Sequence, residues 1–238
     1  MGITSRHIKA WWQDFIGIIW PNLCEACGRS LAHGEKTLCL HCLTELPRVG
    51  MHNDPFSQIH HRLAGHTPIE KAASWFYYYR DTRFAQMIQR AKYNSRPALA
   101  HRLGEMMAGE IKGDGFFDGI DVIIPVPLHK LKKLVRGYNQ SEEIARGIAK
   151  ATGLSVEPAG LKAKRHSTQT RRIAYSRWLN TRSIYSVAKP EVMEGKHVLV
   201  VDDVLTTGAT LLACIDAIHA SVPTAKISVL TLGLTHLR

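Results

Sequence analysis

Residues 196–211 read KHVLVVDDVLTTGATL, and few folded arrangements satisfy that order of residue types. The aliphatic run ending at Val201 has the pattern of a strand buried on both faces, as in a parallel sheet. Asp202 and Asp203 then stand where that strand is expected to end. Two adjacent carboxylates beside a buried strand are costly unless they bind something, and vicinal ribose hydroxyls suit them because each carboxylate accepts hydrogen bonds from a diol. Val204 leads into Thr206, Thr207, Gly208, Ala209 and Thr210, a turn expected to open a helix. Small residues let backbone N–H groups approach a ligand, the hydroxyls add donors, and a helix N-terminus favours an anion. A strand, two acids for a ribose and a cradle for a 5′-phosphate together point to a phosphoribosyl group. The plain alternative is an ordinary strand–turn–helix.

The rest of the C-terminal two thirds repeats the strand–loop–helix order. KAASWFYYYR (71–80) predicts a strand, followed by helices over 81–92 and 97–111. DVIIPVPL (121–128) predicts a strand ending in a Pro-Val-Pro turn, SEEIARGIAKATG (141–153) a helix, and AKISVLTLGL (225–234) a last strand. Strands alternating with helices give an α/β fold with a parallel sheet and flanking helices, in which ligands sit at the carboxyl ends of the strands. Hydrophobic residues make up 45% and charged residues 21% of the 238, so a core of ordinary size is expected and disorder is not.

Four of the five cysteines fall as Cys24-x2-Cys27 and Cys39-x2-Cys42, eleven residues apart. Two such knuckles supply the four soft ligands of a tetrahedral zinc ion, and with all four positions filled the site is structural. Gly28 follows the first pair, where a knuckle needs unusual backbone angles. His41 is read as a surface residue and Cys214 as core packing within the helix after the phosphate loop. Before the knuckles lies HIKAWWQDFIGIIW (7–20), whose Ile8, Trp11, Trp12, Phe15, Ile16 and Ile19 form one apolar stripe at helical spacing. It predicts a helix that packs on the protein, or else a docking or weak membrane-surface contact. The apolar stretch Phe15–Trp20 falls far short of the roughly 20 residues of a transmembrane helix, and no cleavable signal pattern follows, so a cytoplasmic protein is expected. The resulting division is 1–50 for the N-terminal helix and zinc module, 51–70 for a linker rich in His, Pro and Asn, and 71–238 for the α/β domain.

The net charge of +11 is concentrated. Residues 161–189 carry eight basic and no acidic side chains, whereas residues 1–70 carry six of each. That concentration fits a polyanionic partner such as diphosphate, a nucleotide or nucleic acid, with a solvated face as the alternative.

Residues 198–211 resemble the phosphoribosyl-diphosphate (PRPP) loop of type I phosphoribosyltransferases. The chain is similar along nearly its full length to the ComF/GntX family of competence-related proteins, through the tetra-cysteine segment, IIPVPLHKLKKLVRGYNQSEEIA (123–145), TQTRRIAYSRWLN (168–180) and KHVLVVDDVLTTGATL. RGYNQSE (136–142) is the most family-specific of these. The resemblance implies a type I phosphoribosyltransferase-like domain joined to a zinc module, in proteins linked to the uptake or use of DNA.

On that resemblance Asp202 and Asp203 are the ribose-binding acids and Thr206 to Thr210 the 5′-phosphate loop. Pro125, Val126, Pro127 and Leu128 fall at a diphosphate-binding loop, where the two prolines make a cis bond accessible. Arg136 reaches the diphosphate and Asn139 caps the next helix. The basic stretch 165–180 takes the place of the lid that closes over PRPP, with Arg165, Gln169, Arg172 and Arg177 as diphosphate contacts or, for Arg177 together with Asn180, as structural partners of the core. Base specificity belongs to a hood built by residues 60–95, where Tyr77, Tyr78, Tyr79, Lys92 and Tyr93 stack or pair with a base, or serve as core. Mg2+ accompanies PRPP. Three functions follow: a pentosyl transferase releasing diphosphate, a PRPP- or nucleotide-responsive accessory factor acting with other competence proteins, and a binder of single-stranded DNA.

Overall fold

The structure is a computed structural model that describes residues 21–50, 54, 57–63, 68–93, 96–164 and 184–236. The chain divides into two compact units between Leu46 and Pro47. The Trp-rich segment before Pro21 lies outside the described residues, and among the described residues no helix is long and apolar enough to cross a membrane.

In the first unit the backbone doubles back on itself, with Leu23 bridging Ser30. The Gly28 N–H closes the first knuckle onto the Cys24 carbonyl at 2.8 Å, and Gly28 sits at φ +74°, the left-handed conformation expected of it. Glu35 accepts the N–H groups of Ala32 (2.7 Å) and Leu40 (2.6 Å), which starts helix α1 (Leu40–Thr44) where the second knuckle needs it. His41 is exposed, as expected.

The second unit is built on a five-stranded sheet in the order β1-β7-β6-β2-β3, parallel throughout. Along the chain its elements are α2 (Gln58–Leu63), β1 (Ala72–Tyr78), α3 (Arg83–Tyr93), α4 (Pro97–Ile111), β2 (Val122–Pro125), α5 (Lys130–Arg136), α6 (Gln140–Thr152), β3 (Ser155–Val156), β4 (Leu161–Ala163), β5 (Tyr185–Val187), β6 (His197–Leu205), α7 (Ala209–Ser221) and β7 (Lys226–Thr235). Strands β4 and β5 form a separate antiparallel pair. Because side chains alternate across a strand, the buried runs of β2, β6 and β7 feed two cores. Val122, Ile124, Val198, Val200, Ile227 and Val229 join Leu211, Cys214, Ile215 and Ile218 of α7, which confirms Cys214 as core. On the other side α6 packs on β2, β6 and α4.

Two departures from the sequence reading shape the site. Residues 58–63, within the stretch read as a connection, form a helix whose Ile59 and Leu63 are buried in the α7-side core. Strand β6 also continues past the two acids to Leu205. Its partner β7 pairs with it as far as Leu205↔Leu234, while β2 stops at Pro125↔Val201. Asp202 and Asp203 therefore lie on a strand supported on one edge and open on the other.

Helices α4 and α6 approach so closely that glycine is required at both contacts. A Cβ at Gly104 would overlap the carbonyl of Ile144, and one at Gly147 would overlap the carbonyl of His101 and the N–H of Glu105. Gly104→Ala and Gly147→Ala should each lower the unfolding free energy by about 2–4 kcal/mol in urea titrations. Gly109→Ala, where a Cβ meets nothing within 4 Å, should raise it by up to about 1 kcal/mol. Equal effects at the three positions would refute this packing account.

Candidate functional site

The early end of β2 leaves a cleft of about 520 Å³ at the carboxyl edge of the sheet. Its walls include Asp202 and Asp203 from β6, Val126, Pro127 and Leu128 beyond β2, and Lys132 and Arg136 of α5. Lys92 of α3, Ser141 of α6, Thr210 of α7 and Tyr185 of β5 add to the ring of polar groups, with His129, Asn139 and Gln140. The sequence-predicted acids, the turn after β2 and Arg136 are thus brought together. Pro125 itself is buried as the last residue of β2.

The two acids have different surroundings. Asp202 Oδ1 accepts the Ser141 hydroxyl and the Asp203 N–H, each at 2.9 Å. Asp203 Oδ2 pairs with the Lys92 ammonium at 3.0 Å. Burial, with the Asp203 charge adding to it, pushes the Asp202 carboxyl up to about 7 against the bonds from the Asp203 N–H and Ser141. Tyr185, whose phenol burial raises above its ordinary range, has both Cys214 and Asp202 among the groups acting on it.

Four consecutive residues at the start of α6 hold these walls in place. Tyr138 donates its hydroxyl to the Ala91 carbonyl, and Gln140 its amide to the Lys92 carbonyl at 3.2 Å, so both fasten the end of α3. Asn139 donates to the Val126 carbonyl at 3.0 Å, and Ser141 reaches Asp202. Asn139 does occupy the N-cap position, but its side chain makes no capping bond. The buried Val126 carbonyl takes its amide instead. The Val126 N–H donates to the Val201 carbonyl at 2.9 Å, extending the ladder with β6. All peptide bonds among the described residues are trans, so the turn after β2 keeps this register without the cis bond its prolines made accessible.

On the far side of the acids the loop Leu205–Gly208 enters α7. Gly208 is its N-cap at φ +83°, and a Cβ there would press on Leu63 and the Arg62 carbonyl at 3.2 and 3.4 Å. The first intrahelical bond runs from Leu212 N–H to the Gly208 carbonyl at 2.9 Å, and the Ala209 N–H donates weakly to Thr207 Oγ1 at 3.5 Å, so the N–H groups of Thr210 and Leu211 precede the helical ladder at an end that favours an anion. Thr206, Thr207, Ala209 and Thr210 are exposed, and Thr210 lines the cleft. Arg62 of α2 supports this loop from behind, its Nη1 donating to the Thr206 carbonyl at 3.0 Å and the Thr235 hydroxyl at 3.4 Å.

The predicted lid contacts Arg165, Gln169, Arg172 and Arg177 lie outside the described residues. The two arms that bracket them do not. Lys164 N–H bonds the Ile184 carbonyl at 2.7 Å, and Ala163, Ile184 and Tyr185 line the cleft. Of the aromatics assigned to the hood, Tyr77 stacks on His236 at 5.5 Å and Tyr79 lies 6.2 Å from it, while Tyr78 takes a bond from Gln89. None of the three lines the cleft.

Residues 90–233 match the family model of the phosphoribosyl transferase domain, which covers more than half of the chain. The chain belongs to that family. The match contains β2, β6 and the acids, the phosphate loop and every residue that lines the cleft. The DNA utilization protein YhgH of Escherichia coli O157:H7 is 26% identical over 197 residues, covering 79% of this chain and 80% of its own length. Competence protein F of Haemophilus influenzae is 32% identical over 93 residues, 38% of this chain and 41% of its own. Among solved structures, the glutamine PRPP amidotransferase of B. subtilis aligns over 60% of this chain and 30% of its own at 23% identity and a TM-score of 0.43. Adenine phosphoribosyltransferase of Saccharomyces cerevisiae aligns over 59% and 72% at 17% identity and a TM-score of 0.35.

Apart from the phosphoribosyl transferase domain, the four knuckle cysteines form a second candidate site. Their sulfurs all lie within 4.8 Å of one another, with Cys27 and Cys39 Sγ 3.7 Å apart. Tetrahedral ligands at about 2.3 Å from a zinc ion have sulfurs at about that spacing. Burial raises the Cys24 thiol, but backbone N–H groups of Cys27, Cys39 and Ala26 outweigh it and bring it down to about 6. Burial and the neighbouring sulfurs raise Cys42. The four cysteines could hold a structural metal such as zinc, whose charge would offset the mutual repulsion of the thiolates.

The Asp202 environment has a measurable consequence. With a folded pKa near 7 and an unfolded one near 4, the native state keeps a proton that the unfolded chain releases, so this group's contribution to stability falls as pH rises from about 4 to 7. Asp202→Asn retains an oxygen acceptor for Ser141 and the Asp203 N–H. It should stabilise the ligand-free protein by roughly 1–3 kcal/mol at pH 8, with the gain vanishing near pH 4. A gain that does not depend on pH would contradict this assignment.

Proposed function

We propose that this protein binds PRPP in the cleft and transfers its ribose 5-phosphate to a nitrogen acceptor, in a process that handles DNA or its products. The observation that carries this reading is the convergence of Asp202 and Asp203, the α7 N-terminus and the turn after β2 on one cleft at the carboxyl edge of a parallel sheet. Each part suits one part of PRPP. The α7 N-terminus and the exposed threonines of Thr206–Thr210 suit the 5-phosphate. The two carboxylates suit the ribose diol, and Val126–Leu128 with Arg136 suit the diphosphate. The relation to DNA utilization protein YhgH supports a role in the use of DNA.

In the transfer, the bond from the anomeric carbon to the diphosphate oxygen breaks with its electron pair leaving on the diphosphate. The acceptor nitrogen supplies the pair for the new C–N bond and gives up its proton to solvent. Positive charge grows on the sugar ring between these events, next to two carboxylates placed to stabilise it. Magnesium fits such a donor set, and when bound with PRPP it would offset the charge of the diphosphate and orient it. The basic stretch 165–180, as the resemblance implies, would close over the diphosphate and exclude water.

A second reading, favoured by the eight basic and no acidic side chains of residues 161–189, is a non-catalytic factor that responds to PRPP or a nucleotide and binds single-stranded DNA. Calorimetric titration with PRPP and Mg2+ tests the first step of both. The native protein should bind, and Asp202→Asn/Asp203→Asn should lose affinity by roughly 100-fold or more. Equal binding by the two, or none by either, would reject the site. Binding without diphosphate release in the presence of any nucleobase would favour the second reading.

A further inference from the structure

Lys92 is unusual among the groups of the cleft. It is the next-to-last residue of α3, and its ammonium reaches Asp203 at 3.0 Å with the two side chains only 22% and 15% exposed. Its backbone cannot drift away from the acids, because Gln140 binds its carbonyl and Tyr138 that of Ala91. A change of partner for Lys92 therefore requires only rotation of a flexible side chain.

If a ribose diol takes Asp203, that ammonium loses its partner in a site with little solvent, a strongly unfavourable outcome unless another anion replaces it. The replacement is at hand. The turn Val126–Leu128 shares the cleft with Lys92, and Asn139 and Gln140 tie both to the start of α6. A group bound over that turn lies within the same polar ring as the lysine.

Building on the PRPP reading, we propose that Lys92 is a diphosphate-binding residue, held on Asp203 in the ligand-free cleft and passed to the diphosphate as the sugar takes the acid. The pair is then an exchange of counter-ions, and α3 supplies a substrate contact. This differs from a role in base recognition, which would require Lys92 to leave the acids for the region of Tyr77 and Tyr79.

The test compares PRPP, inorganic diphosphate and ribose 5-phosphate, each with Mg2+, on native protein, Lys92→Met and Lys92→Arg. Lys92→Met should weaken PRPP and diphosphate by about tenfold or more while leaving ribose 5-phosphate unchanged or tighter, and Lys92→Arg should recover most of the loss. Because Lys92→Met strands Asp203, Lys92→Met/Asp203→Asn, with its melting temperature measured beside the native protein's, separates lost binding from lost folding. Its diphosphate affinity should stay low although the fold is restored. Native binding of all three ligands with diphosphate affinity unaltered in Lys92→Met would overturn this inference alone. Failure of the native protein to bind PRPP and diphosphate would reject the underlying reading along with it.

Discussion

The cleft depends on the hydrogen bonds made by Tyr138, Asn139, Gln140 and Ser141. Each of these four residues fastens a part of the site that is distant in sequence: the Ala91 and Lys92 carbonyls, the turn after β2, and Asp202. The helix they begin cannot shift to relax these bonds, because Gly147 and Gly104 set α6 directly against α4. A close helix contact thus fixes the position of α6, and α6 fixes three walls of the cleft.

The second constraint is the uneven support of β6. With β7 on one edge as far as Leu205 and β2 gone after Val201, the strand carries Asp202 and Asp203 into a gap that is lined by protein yet open to a ligand. Carboxylates in such a place are poorly solvated, which is why Asp202 is raised and why Asp203 rests against Lys92. A ligand that brings hydroxyl donors and counter-charge relieves both conditions. On this account the ligand-free site is held in a less favourable electrostatic state that binding resolves.

What could be read from the sequence was local. The apolar run of β6, its two acids and the small residues before α7 are contiguous, so strand period and helix-start chemistry expose them without any tertiary knowledge. The same holds for the paired CxxC knuckles. Lys92, Ser141 and Arg62 were not assigned these roles, because their partners lie far away in the chain: Ser141 and Asp202 are separated by 61 positions, Arg62 and Thr206 by 144. Helix α2 was hidden by its His-rich composition, which leaves Ile59 and Leu63 as a pair too short to register as a period. Asn139 was recognised by type as a cap, yet a buried carbonyl across the cleft took its amide. That competition is decided only when the sheet is assembled.

A crystal structure of the protein with PRPP and Mg2+ tests the account most directly. It should place the 5-phosphate on the N–H groups of Thr206–Thr210, the ribose hydroxyls against Asp202 and Asp203, and the diphosphate over Val126–Leu128, with Tyr138–Ser141 keeping their bonds. PRPP bound elsewhere, or bound here with the ribose turned away from both acids, would contradict it.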